Sequence, residues 1–187
     1  FNTGADGNDV TQTGNITTAG DSAYGLYFRN SDSNTTNLTG NITTAGDYAD
    51  GLYLNDNNSN TTTINGNIIT SGTRARGLFL RFSDSNTTNL TGNITTTGDN
   101  AEGLILLFSD SNTITINGDI ITSGTDGDSE PILLENSDSN TITLSGKVQS
   151  LGEDQAISIL ANSDANTFNI QSGSTFLGDF ENLGTNT

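Results

Sequence analysis

The chain has 187 residues, 22 acidic against 5 basic side chains, and a formal net charge of −17. Its only cations are Arg29, Arg74, Arg76, Arg81 and Lys147, so it lacks the basic surface that nucleic acid or an anionic membrane requires. It contains no Cys, His, Trp or Met, which excludes disulfides and thiolate metal sites and removes the commonest general base and metal ligand.

In chain order, residues 1–12 read as an N-terminal partial coil or cap, with Phe1 and Val10 as its apolar residues. No signal-peptide pattern opens at Phe1, so a targeting segment would have been removed already or never been part of this chain. From Thr13 the text becomes periodic. TGNITTAGDSAYGLYFRNSDSNTTNL is followed by TGNITTAGDYADGLYLNDNNSNTTTI, and the repeat glycine returns at Gly14, Gly40, Gly66, Gly92 and Gly118. The period, about 26 residues, is that of a stacked array. Looser copies follow around Gly146 and Gly173. The low apolar share of 30% would otherwise fit disorder, but disorder does not hold Leu and Ile at a fixed phase. No apolar run approaches the roughly 20 residues of a membrane helix.

Each repeat holds three short runs with period-2 alternation. The first carries Ile16, Ile42, Ile68, Ile94, Ile120 and Val148 at one phase. The second carries Leu26, Leu52, Leu78, Leu104, Ile132 and Ile157, with Phe28, Leu54, Leu80, Leu106, Leu134 and Ile159 two residues on. The third carries Leu38, Ile64, Leu90, Ile116, Leu144 and Ile170. Gly-Asp, Gly-Thr and Ser-Asp-Ser-Asn between the runs are turn chemistry, and no 3.6-residue stripe is present. The predicted fold is all-β: a right-handed parallel β-helix (β-solenoid) over residues 13–170, with three strands of about four to six residues per coil. About six to seven coils would make a rod on the order of 30 Å long. Residues 171–187, with Phe176, Leu177, Phe180 and Leu183, read as a C-terminal cap or partial coil, and Phe168 joins them in covering the open end.

Stacked coils turn repeated residues into ladders. Thr18, Thr44, Thr70, Thr96 and Thr122 predict an inner or corner hydroxyl ladder. Asn34, Asn60, Asn86, Asn112, Asn140 and Asn166 form the least variable column. It reads as a turn ladder of axial amide hydrogen bonds in preference to a binding groove. The column Asp32, Asn58, Asp84, Asp110, Asp138 and Asp164 places like charges roughly 4.8 Å apart. Such carboxylates splay into water or share a hard cation; solvated carboxylates are the favoured reading and calcium the lesser one. An unbroken outer column, Thr35, Thr61, Thr87, Thr113, Thr141 and Thr167, sits beside Asn37, Thr63, Asn89, Thr115, Thr143 and Asn169. This flat Thr/Asn array resembles the surface of ice-binding β-solenoids.

Carboxylates that recur with the repeat belong to turns; a catalytic group should break it. Asp126, Asp128 and Glu130 beside Pro131, with Glu153 and Asp154 one coil later, are the one cluster that does so. It lies where the Gly118-to-Gly146 interval is longer than the others by two positions, in a segment expected to protrude. Without His, and with so few cations, a carbohydrate-active enzyme built on that cluster is the least favoured reading, and no catalytic, cofactor or metal residue is assigned.

The pattern GNITTAGDSAYGLY…SNTTNLTGNITTAG resembles passenger-domain repeats of bacterial autotransporters and related surface adhesins, over about residues 11–170. The resemblance implies a secreted β-helix displaying adhesive or structural surface at the cell exterior, non-enzymatic, with glycans or other surface proteins as partners. An alternative is a filament subunit stacking on itself through open β-helix ends, with the negative charge limiting sideways bundling.

Overall fold

The computed structural model describes residues 2–3, 6–125, 129–152 and 155–185. Among these, all regular structure is β, in three parallel sheets that form a solenoid. The first sheet stacks Asn2–Thr3, Leu26–Arg29, Leu52–Asn55, Leu78–Arg81, Leu104–Leu107, Ile132–Glu135, Gln155–Ile159 and Asp179–Asn182. The second stacks Asp9–Thr13, Thr35–Thr39, Thr61–Asn65, Thr87–Thr91, Thr113–Asn117, Thr141–Leu144 and Thr167–Ile170. The third stacks Ile16–Thr18, Ile42–Thr44, Ile68–Thr70, Ile94–Thr96, Ile120–Thr122, Lys147–Ser150 and Thr175–Leu177.

Register follows the repeat. Leu26 pairs with Leu52, Leu52 with Leu78 and Leu78 with Leu104, so identical residues lie in columns. The inward Leu and Ile columns are buried from Leu26 to Ile159 and make one continuous core. Each such side chain contributes about 1.5–3 kcal/mol on leaving water. The second sheet supplies a further inward column absent from the sequence-based core: Thr36, Thr62 and Thr88, then Ile114 and Ile142. Thr reads as a solvent-face residue in sequence, which hid it.

Strands are shorter than predicted in the third sheet, at three residues from Ile16–Thr18 to Ile120–Thr122. The coil bends sharply on both sides of them. Gly92, on the entry side, has φ +143, and a Cβ there would lie 2.3 Å from the Gly66 carbonyl oxygen. On the exit side Thr44, Thr70 and Thr96 donate to the Ala49, Ala75 and Ala101 carbonyls within their own coils. The predicted hydroxyl ladder is thus a series of buried corner clasps, each closing one turn. In the lengthened coil, Thr122 reaches the Ser129 carbonyl, seven residues on instead of five, so the extra length is taken up inside that clasp. Leu104 still pairs with Ile132. The coil after it regains phase as expected, Ile132 with Ile157 and Thr141 with Thr167.

Two buried ladders run along the corner between the first and second sheets. The Asn60 amide oxygen accepts from the Asn34 backbone N–H at 2.8 Å, and its Nδ2 donates to the Ser31 carbonyl at 2.9 Å and to Asn86 Oδ1 at 3.2 Å. Asn86, Asn112 and Asn140 repeat the pattern. Beside it, the Ser83 N–H donates to Ser109 Oγ and the Ser109 N–H to Ser137 Oγ. The Asn column is therefore structural: it is buried and its amides are bonded, as a polar group in an apolar interior requires.

At the N-terminal end a void of about 230 Å³ opens, lined by Val10, Gln12, Ile16, Gly25, Leu26 and Thr36. At the other end Phe168 and Phe176 pack half-buried against the core, while Ile170, Leu177, Phe180 and Leu183 are exposed. Phe1 lies outside the described residues.

Candidate binding face on the first sheet

Asp32 Oδ1 accepts the Asn58 N–H at 2.7 Å, Asp84 Oδ1 the Asp110 N–H at 2.8 Å, and Asp110 Oδ1 the Asp138 N–H at 2.7 Å. Asp138 and Asp164 continue the series. Repulsion between stacked acids is thus offset by a charge-assisted bond from each to the next coil's backbone. Among the described residues no set of three or more acidic side chains converges as a metal site, so the calcium reading gains no support from this column. On the second sheet, Thr35, Thr61, Thr87, Thr113, Thr141 and Thr167 pair in register as an outward column.

Of the repeat-breaking acids, Asp126, Asp128, Glu153 and Asp154 lie outside the described residues. Glu130 is buried on the outer side of the first sheet and lines a cavity of about 250 Å³ with Glu135, Gln155, Ser158 and Glu181. Glu181 Oε2 accepts from Gln155 Nε2 at 2.8 Å.

The outer face of the first sheet carries the least repetitive chemistry of the molecule. Strand alternation points Tyr27, Tyr53, Phe79, Ile105 and Leu133 outward, yet the last four are buried and form a second apolar cluster. Tyr27 stacks on Tyr53 with centroids 5.2 Å apart, and Tyr53 on Phe79 at 4.7 Å with planes 2° apart. Tyr24 packs against both tyrosines. Because the rings take one another's faces, they present edges to the outside. Flanking side chains close over them. Arg76 lies 4.6 Å over the Phe79 ring and pairs through Nε with Glu102 Oε2 at 3.0 Å. Asp50 precedes Arg76 in the same column, only 2% exposed, and its Oδ1 accepts the Arg76 N–H at 2.8 Å. Burial pushes the Asp50 carboxyl up to about 7, although Arg76 pulls it back. Burial likewise raises Tyr24 and Tyr53.

On the opposite flank Arg29, Asn55, Arg81, Leu107 and Glu135 follow one another. Arg81 lies 4.6 Å over the Phe82 ring. At the other corner Arg74 donates to the Tyr48 hydroxyl at 3.3 Å and lies over that ring. Four of the five cations therefore sit on this sheet or the turn leading into it. The repeat does not place these arginines, because they interrupt it in a single coil and at Arg29.

A family model described as "Periplasmic copper-binding protein (NosD)" matches residues 2–144. The chain belongs to the NosD family. No curated protein and no solved structure matches it. The NosD match agrees with the β-solenoid, but the copper in the family's description does not suit this chain's donors. Copper is held by imidazole, thiolate and thioether groups, and the sequence contains no His, Cys or Met. Its remaining side-chain ligands are hard oxygen donors, largely committed to backbone N–H groups along the turns.

Proposed function

We propose that this NosD-family chain is a non-enzymatic β-solenoid acting at the bacterial cell exterior as a structural and adhesive element of a surface protein or fibre. The observation that carries the reading is how its polar chemistry is used. The Asn, Ser and Asp columns hold coil to coil through buried or axial hydrogen bonds, leaving a rod whose distinctive surface is one aromatic and arginine-bearing face. The family's description as periplasmic supports a place outside the cytoplasm, and the autotransporter-like repeat supports the surface. Partners are glycans or other surface proteins, met on a side face.

The test is adhesion of fluorescently labelled chain to host-cell layers and to immobilised glycans. Saturable binding that survives mild salt supports the reading, and absence of binding to every surface defeats it. A second reading, axial self-stacking, is favoured by Ile170, Leu177, Phe180 and Leu183 standing exposed beside the last strands of the three sheets. Negative-stain microscopy over a concentration series separates the two: filaments of constant width support stacking, isolated short rods exclude it.

A further inference from the structure

Arg29 and Arg81 stand apart from the other cations of this acidic chain. With 22 acidic side chains for 5 basic ones, an arginine has carboxylates to spare, and Arg76 takes one in Glu102. Among the described residues neither Arg29 nor Arg81 pairs with a carboxylate. They lie two rungs apart in one column, roughly 10 Å between backbones, with Asn55 between them. Asn55 is only 8% exposed and its buried side-chain oxygen has no hydrogen-bond partner. Arg81 lies 4.6 Å over the Phe82 ring, which restricts its guanidinium and lowers the freedom lost on binding an anion.

The corner beside this column holds a second departure. Most coils place Asn or Asp there, Asn30, Asp56 and Asn136, all with φ near +50 and all of types that tolerate the left-handed region. Two adjacent coils place Phe instead. Phe82 and Phe108 have φ 48 and 50, stack at 5.2 Å, and remain 41% and 45% exposed. A bulky side chain in that conformation is strained, and here it is accompanied by the ring stack and by Arg81 over Phe82 instead of burial in the core. Strained rings left this exposed are candidates for a functional surface.

We propose that Arg29, Asn55 and Arg81, with the Phe82–Phe108 pair beside them, bind the acidic end of a glycan: a sugar carrying one carboxylate. The carboxylate takes the arginines, which flank Asn55, and the apolar C–H face lies against the phenylalanines. A long polyanion is disfavoured by the net charge of −17, whereas a single carboxylate responds to the arginines within a Debye length of about 8 Å. This site rests on the adhesive reading, for which it names the ligand class.

The experiment is a two-dimensional NMR titration of the whole chain with cellobiouronic acid, which ends in one uronate, against neutral cellobiose. Expected are shifts at Asn55, Arg81 and Phe82 with the acid alone. Arg81→Ala should weaken binding by about tenfold or more, while Arg74→Ala leaves it unchanged. Phe82→Asn, which restores the residue type of other coils, should keep the fold and weaken binding. The site is overturned by no shift up to about 10 mM acid, by shifts confined elsewhere, by equal binding of cellobiose, or by an Arg81→Ala chain that binds as tightly as the original. If the chain adheres to glycans but Arg81→Ala does not matter, the site fails and the adhesive reading stands. If cellobiouronic acid binds here yet the chain adheres to no cell or surface, the reverse holds.

Discussion

Asp50 shows how one side chain sets a pH response. Its carboxyl is raised from 3.8 to about 7, first by burial and against the pull of Arg76, so the folded state favours the protonated form. The stability this contributes is fully present below about pH 4 and is lost as pH rises from there through 7. Thermal unfolding measured from pH 4 to 7.5 should show the original chain losing on the order of 3–4 kcal/mol from this group. Asp50→Asn keeps the oxygen that accepts the Arg76 N–H and should flatten that part of the profile. An unchanged slope would show that the acid is not buried as described. The donor inventory makes a second residue-level prediction: titration with Cu(II) should produce no tight stoichiometric complex, read by calorimetry and electron paramagnetic resonance. Sub-micromolar copper binding would mean that oxygen ligands suffice here.

At the scale of the coil, the ladders and tight bends hold the rod together more than any one strand does. Asn86→Ala removes the acceptor for the Asn60 N–H and Nδ2 and the donor to the Asn57 carbonyl, leaving buried groups without partners. It should cost about 3–5 kcal/mol in urea unfolding, whereas Thr115→Ala on the outer column should change stability by about 0.5 kcal/mol or less. Gly92→Ala combines a left-handed backbone with a Cβ 2.3 Å from the Gly66 carbonyl and should cost about 2–4 kcal/mol. Near-neutral behaviour would mean that adjacent coils yield at this corner. The lengthened coil shows the opposite case. Its additional length is enclosed between Thr122 and Ser129, so the sheets on either side keep register.

At the scale of the whole molecule, the repeat period was enough to give the β-solenoid, its three parallel sheets and most of its inward columns. In-register stacking follows from repetition itself: identical coils pair best when every Leu and Ile meets its own kind. Asn34 and its equivalents were legible for the same reason, since a column with a single residue type admits few roles. The sequence could not show what happens between residues that are distant within a coil or do not repeat. Tertiary structure decided that Thr44 clasps Ala49 instead of forming a ladder, and that each Asp of the turn column accepts a backbone N–H from the next coil. It decided that Phe79, outward by alternation, is buried beneath Arg76, and that Tyr53 is buried between the Tyr27 and Phe79 rings. It also brought Arg29, Asn55 and Arg81, each one full repeat from the next, to adjacent rungs of one edge. Periodicity encodes what every coil shares; a binding face is made where coils differ, and only stacking in three dimensions puts those differences side by side.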